Sequence, residues 1–229
     1  MRGWETRSGW QKASSEPVFD SIAERYDSWY RTPIGRYADE VEWNCVKNLL
    51  PSRKGRVLDL GCGTGLYTER LMKMGFDVLS LDYSVEMLRI AKGKMDGEFI
   101  RGDAMRLPFR DSSFDGTVAI TSFEFFPDPE MAISEMKRVV RKGGFIIVGV
   151  LSRPNLWSWS RSGNELYRSA HFYTYFEMKR LFRPDKMSAC LYAPPKARHL
   201  GLWRGLEPVL SRIFPFFGAF IVVSSRVKE

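Results

Sequence analysis

The chain has 229 residues, 44% of them hydrophobic and 27% charged, enough for one α/β domain with its own core and unlike the composition of a disordered chain. Its longest nearly apolar run, Ile213 to Val223, is broken by Pro215 and Gly218 and falls short of the roughly 20 residues a membrane span needs. No apolar stretch follows Met1, so no secretory signal is expected and the protein reads as soluble and cytoplasmic.

Three cysteines (Cys45, Cys62 and Cys190), no CxxC pair and two histidines argue against a zinc site or a disulfide framework, so no metal is expected. The net charge of +8 is uneven: residues 1–55 sum to +1, residues 56–150 to −1, and residues 151–229 to +8. That excess suits an anionic partner, and would also suit a membrane surface or a nucleic acid.

Residues 1–16 are polar and expected to be mobile. Helical spacing follows around Val18–Tyr30, and again over Arg36–Leu50, where Ala38, Val41, Cys45, Val46 and Leu49 recur on one face ahead of Pro51. Arg56–Leu60 is a short apolar run that stops at glycines, as a buried strand does. Thr64–Met74 reads as a helix ended by Gly75, and Phe76–Asp82 as a strand. Ser84 caps a helix reaching about Met95, with Glu86 in its first turn. Glu98–Asp103 and Phe114–Thr121 are strands, Pro129–Val140 is a helix, Gly143-Gly144 ends a connection, and Phe145–Val150 is a strand.

Strands alternating with helices predict a parallel sheet covered on both faces, with right-handed crossovers. The last third breaks this rhythm. Residues 151–173 look like an inserted, variable segment, and Tyr175–Phe182 like a helix. MSACLYAP and FGAFIVVSSRV read as two strands joined by a polar, proline-containing loop, an antiparallel pair closing the sheet. The expected fold is a Rossmann-like three-layer α/β sandwich with a mostly parallel seven-stranded sheet.

The strongest local signal is Asp59-Leu60-Gly61-Cys62-Gly63-Thr64-Gly65, between a predicted strand and a predicted helix. Glycines there permit positive φ and a close ligand approach, and the helix N-terminus offers free N–H groups. Dinucleotide enzymes use G-x-G-x-x-G; here Leu66 occupies the sixth position, and Asp59 would repel a pyrophosphate but suits an ammonium group. This favours S-adenosylmethionine over NAD. Asp82 ends the next strand, where a carboxylate can take both ribose hydroxyls, and Asp103 ends the third, where it can receive the adenine amino group. Thr121-Ser122-Phe123 follows the fourth strand on the same edge.

In this order Asp59–Gly65, Asp82, Gly102–Ala104 and the Phe114–Gly149 segment resemble the motifs of class I S-adenosylmethionine-dependent methyltransferases. MAISEMKRVVRKGGFIIVGV and FDSIAERYDSWYRTPIGRY are similar to the subgroup that includes ubiquinone- and menaquinone-biosynthesis methyltransferases. The resemblance covers roughly residues 18–150. It implies that Gly61, Cys62, Gly63 and Gly65 approach the methionine part of S-adenosylmethionine. Asp82 would bind ribose, Tyr83 and Met87 would flank the adenine, Asp103 and Ala104 would contact it, and Thr121 would lie near the methionine end. Tyr26 and Tyr30 would cover the cofactor. One domain over residues 1–229 would then comprise an N-terminal helical lid (1–50), a cofactor-binding core (51–150) and a variable acceptor-side segment with closing strands (151–229).

Several of these residues have plainer readings. Tyr26, Trp29 and Tyr30 could be core residues of a packed helix, Asp82 a helix-capping carboxylate, Asp103 part of a turn with Met105–Arg106, and Cys62 a small spacer. Methyl transfer to an oxygen or carbon acceptor usually needs a base, for which His171, Tyr173 and Glu124 are candidates that no spacing rule separates. The aromatic residues Trp157, Trp159, Phe172 and Tyr173 suit a small flat or apolar acceptor. A nucleic-acid methyltransferase is the alternative within enzymes, although TSFEFFPDPE lacks the N/D-P-P-Y/F loop of exocyclic-amine methylation. A non-catalytic S-adenosylmethionine-binding subunit is the alternative of another class. Oligomeric state is not legible.

Overall fold

The computed structural model describes residues 18–161 and 163–228; the mobility expected of residues 1–16 lies outside them. The predicted N-terminal helix is a broken one: a 3-10 turn at Asp20–Ile22, a single turn α1 (Ala23–Tyr26) and a second 3-10 turn at Trp29–Arg31. Short hydroxyl side chains interrupt it, Ser21 Oγ donating to Val18 O at 2.8 Å and Ser28 Oγ to Arg25 O at 2.5 Å, the local competition that disfavours helix interiors. Helix α2 (Pro33–Lys47) begins three residues before the expected start because Thr32 caps it, accepting from Gly35 N at 3.0 Å, with Pro33 in the first turn.

Then come β1 (Arg56–Leu60), α3 (Leu66–Lys73), β2 (Asp77–Asp82), α4 (Val85–Lys94), β3 (Glu98–Arg101), β4 (Phe114–Ile120), α5 (Pro129–Val139) and β5 (Val140–Leu151). Ser84 and Asp128 cap α4 and α5. The Gly143-Gly144 segment, expected to be a connection, lies inside β5. The pairing with β4 slips there between Phe114 and Gly116, a bulge that Gly143 permits at φ +74°. After it come α6 (Leu156–Arg161), α7 (Tyr175–Phe182), β6 (Lys186–Cys190), α8 (Leu200–Ile213) and β7 (Phe220–Arg226). The β6–β7 connection is therefore a 14-residue helix and not the expected polar loop.

The seven strands are ordered β3-β2-β1-β4-β5-β7-β6, parallel except that β7 runs antiparallel to both β5 and β6. Alternate strand residues face opposite layers. Val57, Val118 and Ile147 pack with Tyr37, Val41 and Leu71 of α2 and α3. Leu58, Ala119 and Ile146 pack with Met136 of α5 and Met178 of α7. The result is a three-layer Rossmann-like sandwich whose parallel strands all end on one edge.

Candidate functional site

The carboxyl ends of β1, β2 and β4 gather the sequence signals. Gly61, Gly63 and Gly65 take φ values of +67°, +55° and +85°, the left-handed region where a side chain is strained. The loop is pinned from below: Gly61 N and Cys62 N donate to Leu81 O at 2.7 and 3.1 Å. At Gly63 nothing lies within 4 Å of where a Cβ would sit, so its backbone is open to a ligand. Gly63 N instead donates to Asp82 Oδ2 at 2.7 Å, while Asp82 Oδ1 receives Ser84 N at 2.9 Å. Burial raises the Asp82 carboxyl above its ordinary range against these amides. Each of its oxygens keeps a lone pair for a hydroxyl donor. Asp59 is buried beneath the loop and accepts from Thr68 Oγ1 at 2.6 Å. Burial pushes its carboxyl up to about 7.

Other candidates occupy the same edge. The Asp103 carboxylate accepts from Met105 N at 2.9 Å, and Arg106 N donates to Asp103 O at 3.0 Å, the local turn. Ala104 and Met87 are buried, and Tyr83 is exposed with Arg101 5.6 Å from its ring. Cys62 packs with Leu88, Ala91 and Phe99, and burial raises its thiol well above the ordinary range.

Three acidic residues of the N-terminal segment dock it here. Asp20 accepts from Ser84 Oγ at the cap of α4, Glu24 pairs with Arg89, and Asp27 accepts from Thr64 Oγ1 at 2.6 Å and pairs with Lys94. Lys94 Nζ also donates to Thr64 O at 3.1 Å. The segment thus spans from the glycine loop to α4 and turns its aromatic residues inward.

Under it lies a cavity of about 250 Å³, walled by Phe19, Tyr26, Trp29, Tyr30, Phe125 and Tyr167 with Thr121 at one side. Burial raises the Tyr26 and Tyr30 hydroxyls above their ordinary range. Three charged residues line the cavity, Arg25 of α1, which is exposed, and the buried Glu42 of α2 and Arg161 of α6. Arg161 is 7% exposed, with its guanidinium 5.0 Å from the Trp157 ring and 5.7 Å from that of Tyr167. Its Nη1 is buried without a hydrogen-bond partner among the described residues, an arrangement that costs free energy unless a ligand completes it. Glu42 is 3% exposed, and burial pushes its carboxyl up to about 8 even though the Arg161 charge opposes this. Glu124 is sealed nearby: Oε1 accepts from Leu151 N at 3.2 Å, Oε2 has no partner among the described residues, and burial raises it to about 7.

His171 and Tyr173 lie outside the cavity wall. His171 is partly exposed, 3.7 Å from Glu177, with its ring against that of Tyr173 at 4.5 Å; Tyr173 is buried against Phe123. Glu42, Arg161, Tyr167 and Asp27 were not singled out from the sequence. Of these only Asp27 carried a local signal, since Asp20, Glu24 and Asp27 recur at the spacing of one helical face.

A family model described as "Methyltransferase domain" matches residues 58–148. The chain is 34% identical over 160 residues to an uncharacterized protein of Methanocaldococcus jannaschii, covering 68% of this chain and 73% of that one. It is 36% identical over 152 residues to a demethylmenaquinone methyltransferase of Thermotoga maritima, covering 64% and 66%. The chain spans less than two thirds of the length of the first demethylmenaquinone methyltransferases it matches. Among solved structures, it superimposes with a TM-score of 0.72 and 26% identity on a Thermotoga maritima S-adenosylmethionine-dependent methyltransferase, a possible histamine N-methyltransferase, over 92% of this chain and 98% of that one.

Proposed function

Because this chain belongs to the class I S-adenosylmethionine-dependent methyltransferases, we propose that it methylates a small, flat acceptor bearing an acidic group, held in the cavity beneath the N-terminal segment. The observation that carries the acceptor class is Arg161, a buried guanidinium with an unpartnered nitrogen in an aromatic-walled space. An anionic oxygen would complete it in a geometry guanidinium groups favour.

The cofactor fits the residues present. An open backbone at Gly63 and free lone pairs on Asp82 face the same strand ends. We assign Asp82 to the ribose hydroxyls and Gly61, Cys62, Gly63 and Gly65 to the methionine moiety, whose ammonium group Asp59 faces directly or through water. Asp103 and Ala104 take the adenine between Tyr83 and Met87, and Thr121 sits by the methionine end. Tyr26 and Tyr30 cover the site, and the N-terminal segment acts as a lid. When bound, S-adenosylmethionine supplies a methyl carbon already activated by its sulfonium, so the protein's task is alignment and charge placement.

The chain's own part is to exclude water with the aromatic wall, anchor the acceptor through Arg161 and take a proton where the acceptor carries one. Glu42 is the carboxyl that reaches the cavity, and a value of about 8 is suited to a base working near neutrality. His171, Tyr173 and Glu124 are the other candidates, all outside the cavity wall. Calorimetry with S-adenosylhomocysteine tests the cofactor, and methylation of hydroxybenzoates against the matching hydroxybenzamides tests the acceptor. Turnover of the acids, lost in Arg161→Gln, is the expected result. Equal turnover of the neutral amides would remove the anionic acceptor.

A further inference from the structure

The helix between the two closing strands has an inner face that is fully committed. Glu207 is buried and accepts from Tyr37 Oη at 2.6 Å and from Leu191 N and Tyr192 N, each at 2.9 Å. Leu200 and Trp203 pack against the core beside it. The outer face is different. Leu202, Leu206, Val209 and Ile213 are 65%, 37%, 51% and 58% exposed, and at 3.6 residues per turn they share an arc of about 60°. The stripe continues into the 3-10 turn Pro215–Phe217 with Phe214, Phe216 and Phe217, exposed by 43%, 37% and 50%. Soluble proteins seldom leave so many large apolar side chains together in water unless the patch meets something.

The exposed charges carried by this segment itself have one sign. Between residues 196 and 217 the exposed charged residues are Lys196, Arg198, Arg204 and Arg212, and the segment's one acid, Glu207, points inward. Arg204 pairs with Glu40 of α2 at 2.6 Å. Arg212 falls beside the apolar arc on the helix surface. A second copy docking by two-fold symmetry would set these cations against one another. An anionic bilayer instead offers both partners at once, headgroups for the cations and acyl chains for the Leu, Val, Ile and Phe stripe. At 14 residues α8 is about 21 Å long, shorter than the hydrocarbon core of about 30 Å. No helix among the described residues is long and apolar enough to cross a membrane. The helix therefore fits lying in the interface.

We propose that α8 and the Pro215–Phe217 turn form a membrane-docking surface that seats the protein on anionic lipid headgroups with its apolar stripe inserted. Flotation of the full chain with vesicles of phosphatidylcholine, alone or mixed with phosphatidylglycerol, tests it. Binding to the mixed vesicles should exceed binding to phosphatidylcholine by about ten-fold or more and fall at high salt. A Leu202→Ser, Val209→Ser, Ile213→Ser triple variant should stop floating while its thermal melt and S-adenosylhomocysteine binding stay as in the wild type. Failure of the wild type to float overturns the proposal. So does flotation that the triple variant retains, or a concentration-dependent dimer that the triple variant abolishes without any vesicle binding. Retention on RNA with no vesicle binding would move the surface to a nucleic acid.

Discussion

Asp27 and Thr64 join the N-terminal segment to the glycine loop: Thr64 Oγ1 donates to Asp27 Oδ1 at 2.6 Å, and Lys94 bridges the same two residues from α4. The cover over the cavity and the loop that opens α3 are thus mechanically one unit. Asp27→Ala should loosen the cover without touching the core. Losing one such hydrogen bond is worth about 1 kcal/mol, so S-adenosylhomocysteine should bind roughly five-fold more weakly. Limited proteolysis should also cut sooner between α1 and α2. Unchanged affinity and cleavage would mean that the contact is decorative.

Asp82 has two tasks in the structure, holding Gly63 N and Ser84 N and facing the strand edge. Asp82→Ala should weaken S-adenosylmethionine binding by roughly 1–3 kcal/mol if both ribose hydroxyls lose their acceptor. Because it also frees Gly63, its melting temperature should drop in the ligand-free protein. Asp82→Asn retains acceptor oxygen and should fall between the two. Calorimetry paired with thermal melts separates the effects; wild-type affinity in Asp82→Ala would refute the ribose assignment.

Gly61 and Gly143 both have positive φ, and they separate conformational strain from steric exclusion. A Cβ at Gly61 would lie 2.5 Å from Ser122 Cβ, and Ser122 is held by its hydrogen bond to Leu60 O at 2.7 Å. At Gly143 nothing lies within 4 Å. Gly143→Ala should cost only the left-handed penalty of about 1 kcal/mol, whereas Gly61→Ala should add a clash for about 3 kcal/mol in all. Chemical denaturation of the two variants measures the difference, and equal losses would show that Ser122 gives way freely.

The contrast between these residues and Arg161 explains what the sequence could reveal. The glycine loop, Asp82 and the strand order are local signals: an apolar run, a turn that only glycine makes well, a carboxylate at a strand end. They also carry the family resemblance. Arg161 sits in a segment that reads as variable, and nothing near it announces burial. It becomes a site only because the fold brings it to one cavity with Glu42 of α2, far away in the chain. The same holds for residues 195–213. Gly201, Gly205 and Pro208 suggest a loop, yet the helix forms because Glu207 is anchored on Tyr37 and the end of β6, a tertiary contact that overrides propensity.

The buried carboxyls give the stability a definite pH dependence. Glu42, Glu124 and Asp59 are pushed up to about 8, 7 and 7 from ordinary values of 4.5, 4.5 and 3.8. The folded protein therefore keeps protons that the unfolded chain has already released, and the native state binds more protons across the interval between. Stability should then fall as pH rises from about 4.5 to about 8 and level off above, the opposite of the trend for a salt-bridged carboxylate. Glu42 faces Arg161, Asp39, Glu124 and Tyr67; the Arg161 charge and the Tyr67 hydroxyl, which donates to Glu42 Oε2 at 3.5 Å, favour its ionised form, and Asp39 and Glu124 oppose it. Glu42→Gln should flatten the upper part of the fall, so that the variant melts closer to the wild type at acid pH and above it near pH 8. Thermal melts from about pH 5 to about pH 9 check this. A wild-type melting temperature that rises across that range would mean that Glu42 is ionised in the folded protein and paired with Arg161. The guanidinium would then have its partner already, and the anionic acceptor proposed for it would lose its footing.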